Sequence, residues 1–197
     1  MTIHDFHKDL KDSHSNSEQK MWEYIYRIYF HDFQNMSSII DSLKLQRLGV
    51  DRIITLKSEK EILIDEKIRR SDYGKGDILL EYLSNDSTGA LGWIEKTLRC
   101  DYIAYAILPT RQCWILPVPQ LQGAWKANKE RWLAKYDLPP AQNDGYKTYS
   151  CGVPADVLLF AIYRNMCVDY SEVDPLPPKL EYNEWLERIK KLNNKKN

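Results

Sequence analysis

The chain has 197 residues, with 43% hydrophobic and 12% aromatic content. That suffices for one domain with a true core and a small appendage, and it excludes a disordered chain. Lys and Arg number 28 and so do Asp and Glu, a net charge of zero that excludes a protein coating nucleic acid through bulk charge but allows a local basic patch. Cys100, Cys113, Cys151 and Cys167 form no CxxC pair and no zinc-spaced cluster, and are read as reduced thiols of a cytoplasmic protein. No apolar signal segment or membrane-length stretch is seen, so no membrane partner is expected.

Residues 1–16 are polar, with His4, His7 and His14 in no metal-ligand spacing, and are read as a flexible lead-in. A helix is predicted from about Glu18 to Phe33, with Ser17 as its cap. Trp22, Ile25, Tyr26, Tyr29, Phe30 and Phe33 recur on it at helical spacing, as a core stripe does. By angular position Glu18 falls on this apolar face and Glu23 nearer its edge. A short helical segment is predicted from Ser37 to Leu45.

Residues 49–67, GVDRIITLKSEKEILIDEK, are the most informative stretch. Asp51, Ile53, Ile54 and Leu56 read as one strand, Lys57–Lys60 as a polar turn, and Ile62–Ile64 as a second strand running into Asp65-Glu66-Lys67. Side chains alternate along a strand, so Leu63, Asp65 and Lys67 share a face, and Asp51 opens the neighbouring strand. Two carboxylates and an ammonium therefore converge at one sheet edge. Two acidic oxygens suit a hard divalent cation such as Mg²⁺, and a lysine beside them can align water or steady a phosphate oxygen. The competing reading is an ordinary hairpin end with solvated charges.

Further along, Arg69, Arg70 and Lys75 make a basic loop that is either a phosphate contact or a solvated turn. Asp77–Leu83 reads as a third strand, on which Glu81 either touches the site or lies on an exposed face. A short helix is predicted over Gly92–Leu98, and a strand hairpin over Asp101–Leu108 and Gln112–Pro117. A basic-faced helix follows over Gln120–Tyr136, a loop over 137–146, a strand over Lys147–Val153 and a helix from Pro154. Val173–Pro178 reads as a proline-rich linker before a last helix, roughly Tyr182–Leu192, with a basic tail. The domain division is 1–16, 17–172 and 173–197. The order of elements predicts an α/β fold with a central mixed sheet flanked by helices.

The pattern Asp51…Asp65-x-Lys67, with Gly49-Val50 leading in and Gln46 before it, resembles the PD-(D/E)xK nuclease superfamily. The likeness is strongest over residues 46–70 and extends from the first helix to about residue 117. Val50 stands where many members carry proline. The resemblance implies a restriction-endonuclease-like sandwich and Mg²⁺- or Mn²⁺-dependent hydrolysis of DNA phosphodiesters. Asp51 and Asp65 would bind metal, Lys67 would position water, Glu18 would assist from the first helix, and Gln46 would play an auxiliary part. DNA is the implied partner, with a homodimer open. The alternative is a catalytically silent nuclease-fold binding module, of phage or mobile-element origin.

Overall fold

The centre of the fold is a hairpin of β2 (Arg52–Leu56) and β3 (Glu61–Arg69), paired from Arg52↔Ile64 to Thr55↔Glu61. Its turn needs a left-handed residue, Glu59 at φ 65°. Strand alternation sends Ile54, Ile62 and Ile64 to one face, where they are buried. This computed structural model describes residues 16–39, 48–72, 76–169 and Glu187. Most of the lead-in, Gln46, Lys75, the proline-rich linker and the predicted last helix lie outside the described residues. The chain divides into Met1–Met166 and Cys167–Asn197, and every element below belongs to the first unit.

β1 (Phe33–Ser38) pairs antiparallel with the outer edge of β2. It corrects the sequence reading twice. The first helix, α1 (Asn16–Tyr29), stops before Phe33, and Ser37 and Ser38, expected to open a helix, are strand. An unpaired β2 edge beside a Gln-Asn-Met-Ser-Ser run of modest helix propensity favours the ladder. On its other side β3 pairs in parallel with β6 (Tyr102–Ile107), which forms the expected hairpin with β7 (Gln112–Pro117). The result is a five-stranded mixed sheet in the order β1-β2-β3-β6-β7.

α1 covers one face of this sheet. Trp22, Tyr26 and Phe30 pack against Ile54, Ile62, Ile64, Ala104 and Ala106. The small β6 residues give the helix room to approach.

The opposite face is covered by a second sheet, which the single-sheet expectation did not include. β4 (Asp77–Asn85) pairs not with β3 but with β9 (Lys147–Pro154), in the antiparallel order β5-β4-β9-β8 completed by β5 (Ala90–Leu91) and β8 (Ala141–Gln142). Both edges of β3 are already taken by β2 and β6, so β4 cannot join it. Ile103, Tyr105, Ile107 and Leu116 of the first sheet share a core with Ile78, Leu80 and Val153 of the second. Helices α2 (Val118–Tyr136) and α3 (Ala155–Arg164) close that core through Leu121, Trp125, Trp132 and Leu158.

Residues Gly92–Leu98 form turns, not the predicted helix. Gly92 lies so close to β4 that a Cβ there would stand 2.1 Å from the Glu81 carbonyl oxygen. The Gly92 amide donates to Tyr82 O at 3.0 Å and the Ile94 amide to Glu81 O at 3.2 Å, which pins this turn to β4. Among the described residues no helix is long and apolar enough to cross a membrane.

Candidate functional site

Asp65 and Lys67 project from β3 toward the second sheet, as the alternation requires. Asp51 reaches them from the residue before β2. Its amide donates to Ile64 O at 2.9 Å, extending the ladder by one step, and its Oδ2 accepts from the Glu66 amide at 2.9 Å. The Asp51 and Asp65 carboxyl groups are close enough for each other's charge to act on their titration. Lys67 Nζ donates to Asp65 Oδ1. Asp65 is 2% exposed, whereas the Lys67 side chain retains 29% exposure, so the site opens at the lysine.

The electrostatics follow from this crowding. Burial and the neighbouring Asp65 carboxylate push Asp51 from 3.8 up to about 7, against the opposing pull of the Lys67 ammonium and the Glu66 amide. Burial alone would lower Lys67, but the charges of Asp65 and Asp51, the hydrogen bond to Asp65 and the charge of Glu81 together hold it above the ordinary lysine value. Behind the pair, Cys100 is pushed up to about 12 by burial and by Asp65, which makes it an inert thiol. Gly49, at φ 71°, brings the chain past the pair: a Cβ there would lie 3.5 Å from Asp65 Oδ2 and 2.6 Å from Leu98 Cδ2.

On the reverse face of the same strands lies a polar network that the sequence reading did not single out. Arg52 grips Glu66 with two hydrogen bonds of 2.8 Å, Nε to Oε1 and Nη2 to Oε2. Tyr26 Oη of α1 donates to Glu66 Oε1 at 2.8 Å, and Arg52 Nη1 donates to Ser38 Oγ. The available signal was a pair of opposite charges, Arg52 and Glu66, each next to a site residue and each at a position the alternation turns inward.

Other expected site residues are dispersed. Glu18 is buried but lies on the α1 face, where it pairs with Arg70 at 2.9 Å. The sheet therefore separates it from the face carrying Asp65 and Lys67, and the expected helix acid does not join them. Glu23 pairs with Arg27 at 2.6 Å on the exposed side of the helix. Arg69 is buried and committed to Asp77 through its carboxylate and its carbonyl oxygen, the latter at 2.7 Å. That corrects its expected place in a basic surface loop, because alternation turns Arg69 inward. Arg70 stays 43% exposed.

Among the described residues no group of three or more His, Cys, Asp and Glu converges on a metal position. The donor set that does converge is the carboxyl pair of Asp51 and Asp65. Two hard oxygen donors, one of them raised to about 7 by burial and by its neighbour's charge, suit a Mg²⁺ ion that keeps waters or substrate oxygens on its other positions. No family model, curated protein or solved structure matches the chain.

Proposed function

We propose that the chain is a divalent-cation-dependent hydrolase of DNA phosphodiesters, with Mg²⁺ or Mn²⁺ held by Asp51 and Asp65. The observation that carries this reading is the meeting of those two carboxyl groups with the Lys67 ammonium at a half-open position between two sheets. When bound, the cation supplies Lewis-acid stabilisation of charge at phosphorus and a water of lowered pKa. The protein's own part is positioning. Lys67 offers donors to a nucleophilic water or a phosphate oxygen, and the Glu66 amide orients Asp51. The Gly49 backbone passes close beside Asp65.

Lys96 and Arg99, exposed on the loop that follows Gly92, supply local positive charge for phosphates without a basic chain overall, whereas Arg70 is turned to Glu18 on the α1 face. The silent-module reading is favoured by one observation: the Lys67 ammonium already satisfies Asp65, as in a structural ion pair. The deciding assay is cleavage of supercoiled, linear, single-stranded and branched DNA with Mg²⁺ or Mn²⁺. Cleavage that a chelator and Asp65→Ala both abolish is expected. Intact DNA of all these kinds, from protein that binds Mn²⁺, would leave the silent module.

A further inference from the structure

α3 is apolar on both of its sides. Leu158, Ala161 and Ile162 face the core. Asn165, which caps the helix end, sets its side chain against Gly123 of α2, so the helix is firmly seated. The outward side is no less apolar. Phe160 and Tyr163 are 62% and 70% exposed, Leu159 is exposed beside them, and Met166 in the turn that follows is 65% exposed. A helix that is apolar all round is ordinarily covered on both sides. Phe, Tyr and Met are also residues that the buried centres of protein interfaces favour. The outward face of α1 differs: Tyr24 and Ile28 are interleaved there with Lys20 and the Glu23–Arg27 ion pair, which suit a solvated surface.

The charges of α3 point to what covers it. The helix carries Asp156 in its first turn, Arg164 in its last and no charge between them, and both are exposed. Each stands four residues from Phe160. In a regular helix they lie about 40° to either side of Phe160, one about 6 Å toward the N-terminus and the other about 6 Å toward the C-terminus. A two-fold axis through Phe160, normal to the face, therefore brings Asp156 of a second copy onto Arg164, and Arg164 of that copy onto Asp156. The same axis sets Phe160 against its equivalent and Tyr163 against Val157 of the second copy. We propose that the outward face of α3 is a homodimer interface, in which two copies of this chain pack antiparallel about Phe160. The face is its own complement, as a two-fold contact requires. Its apolar centre and charged ends match the core and rim of an interface, and a net charge of zero opposes the approach of two copies very little. The contact is independent of the carboxyl site and of the metal reading.

The test is analytical ultracentrifugation of the full chain over a concentration series. Wild type should be dimeric at about 100 µM, above the micromolar dissociation constant of a modest contact. Phe160→Glu should raise that constant by at least about 100-fold, because it places two carboxylates at the centre of the contact. Phe160 is mostly outside the core, so the melting temperature of this variant should match that of wild type at dilutions where both are monomers, which separates loss of the contact from loss of the fold. Asp156→Arg and Arg164→Asp, each alone, should weaken the dimer by about fivefold, since each creates two like-charged pairs at the rim. The double swap Asp156→Arg/Arg164→Asp should restore it, even though the swapped charges oppose the helix dipole. A parallel seating would not be rescued, because it sets like residues together. Wild type that stays monomeric overturns the proposal and leaves the face to a different partner. A dimer that Phe160→Glu leaves intact overturns it too, and a double swap no tighter than the single changes refutes the antiparallel two-fold.

Discussion

Arg52 and Glu66 meet in a doubly bonded ion pair directly behind Asp51 and Asp65, each one residue along the chain from a carboxylate of the site. The Glu66 amide holds Asp51 on one face while its side chain is held by Arg52 and Tyr26 on the other. The reverse-face network therefore fixes the strand register that brings two like charges together.

Breaking this pair should be costly. Arg52 and Glu66 side chains are 6% and 11% exposed, so Arg52→Met leaves a buried carboxylate without its partner and should cost about 3–5 kcal/mol. Replacing both by Met should cost less than the single change, because no unpaired charge remains. Urea unfolding of the two variants checks the order.

The Asp51–Asp65 contact should appear in the pH dependence of stability. Asp51 has a folded value of about 7 against an ordinary 3.8. Between those values the folded protein binds the extra proton, so stability falls as pH rises from about 4 to about 7 and levels off above it. Asp51→Asn should flatten that fall. Unfolding free energies measured across this range for both proteins decide it, and equal slopes would mean that Asp51 is not raised.

The chemistry separates by residue. Lys67→Ala should lower DNA cleavage by at least about 100-fold, the loss typical for a donor that stabilises developing charge, with cation binding kept. Asp65→Ala and Asp51→Ala should lose both. Calorimetry and cleavage on the same preparations check this, and wild-type cleavage by Lys67→Ala would end the nuclease reading.

The two arginines after the motif should behave differently. Arg70→Gln, on the α1 face and paired with Glu18, should leave the slope of log affinity for DNA against log salt unchanged. Arg69→Met should instead destabilise the fold by about 3–5 kcal/mol, since it strands Asp77 in the interior. Salt titrations of binding together with urea unfolding distinguish the two roles.

Gly92→Ala tests the contact that fixes β4 at Glu81. Its Cβ would meet backbone at 2.1 Å and 2.3 Å, which only a strand shift can relieve. A loss of about 1–3 kcal/mol is expected, read as a lowered melting temperature.

Local pattern was sufficient for the hairpin and for its polar end. Ile54, Ile62 and Ile64 on one side and Leu63, Asp65 and Lys67 on the other follow from strand alternation alone, which is a property of the backbone. The hairpin of β6 and β7, the helix over Val118–Tyr136 and the strand over Lys147–Pro154 were legible for the same reason: each is long and carries its own period or turn. What lay beyond the sequence was pairing between distant segments. Ser37 and Ser38 became strand because β2 offered a free edge, and β4 left the central sheet because β6, far along the chain, took the edge of β3. The same layering put Glu18 behind the sheet with Arg70 and turned Arg69 inward to Asp77. Alternation tells which residues share a face, but only packing decides what that face meets.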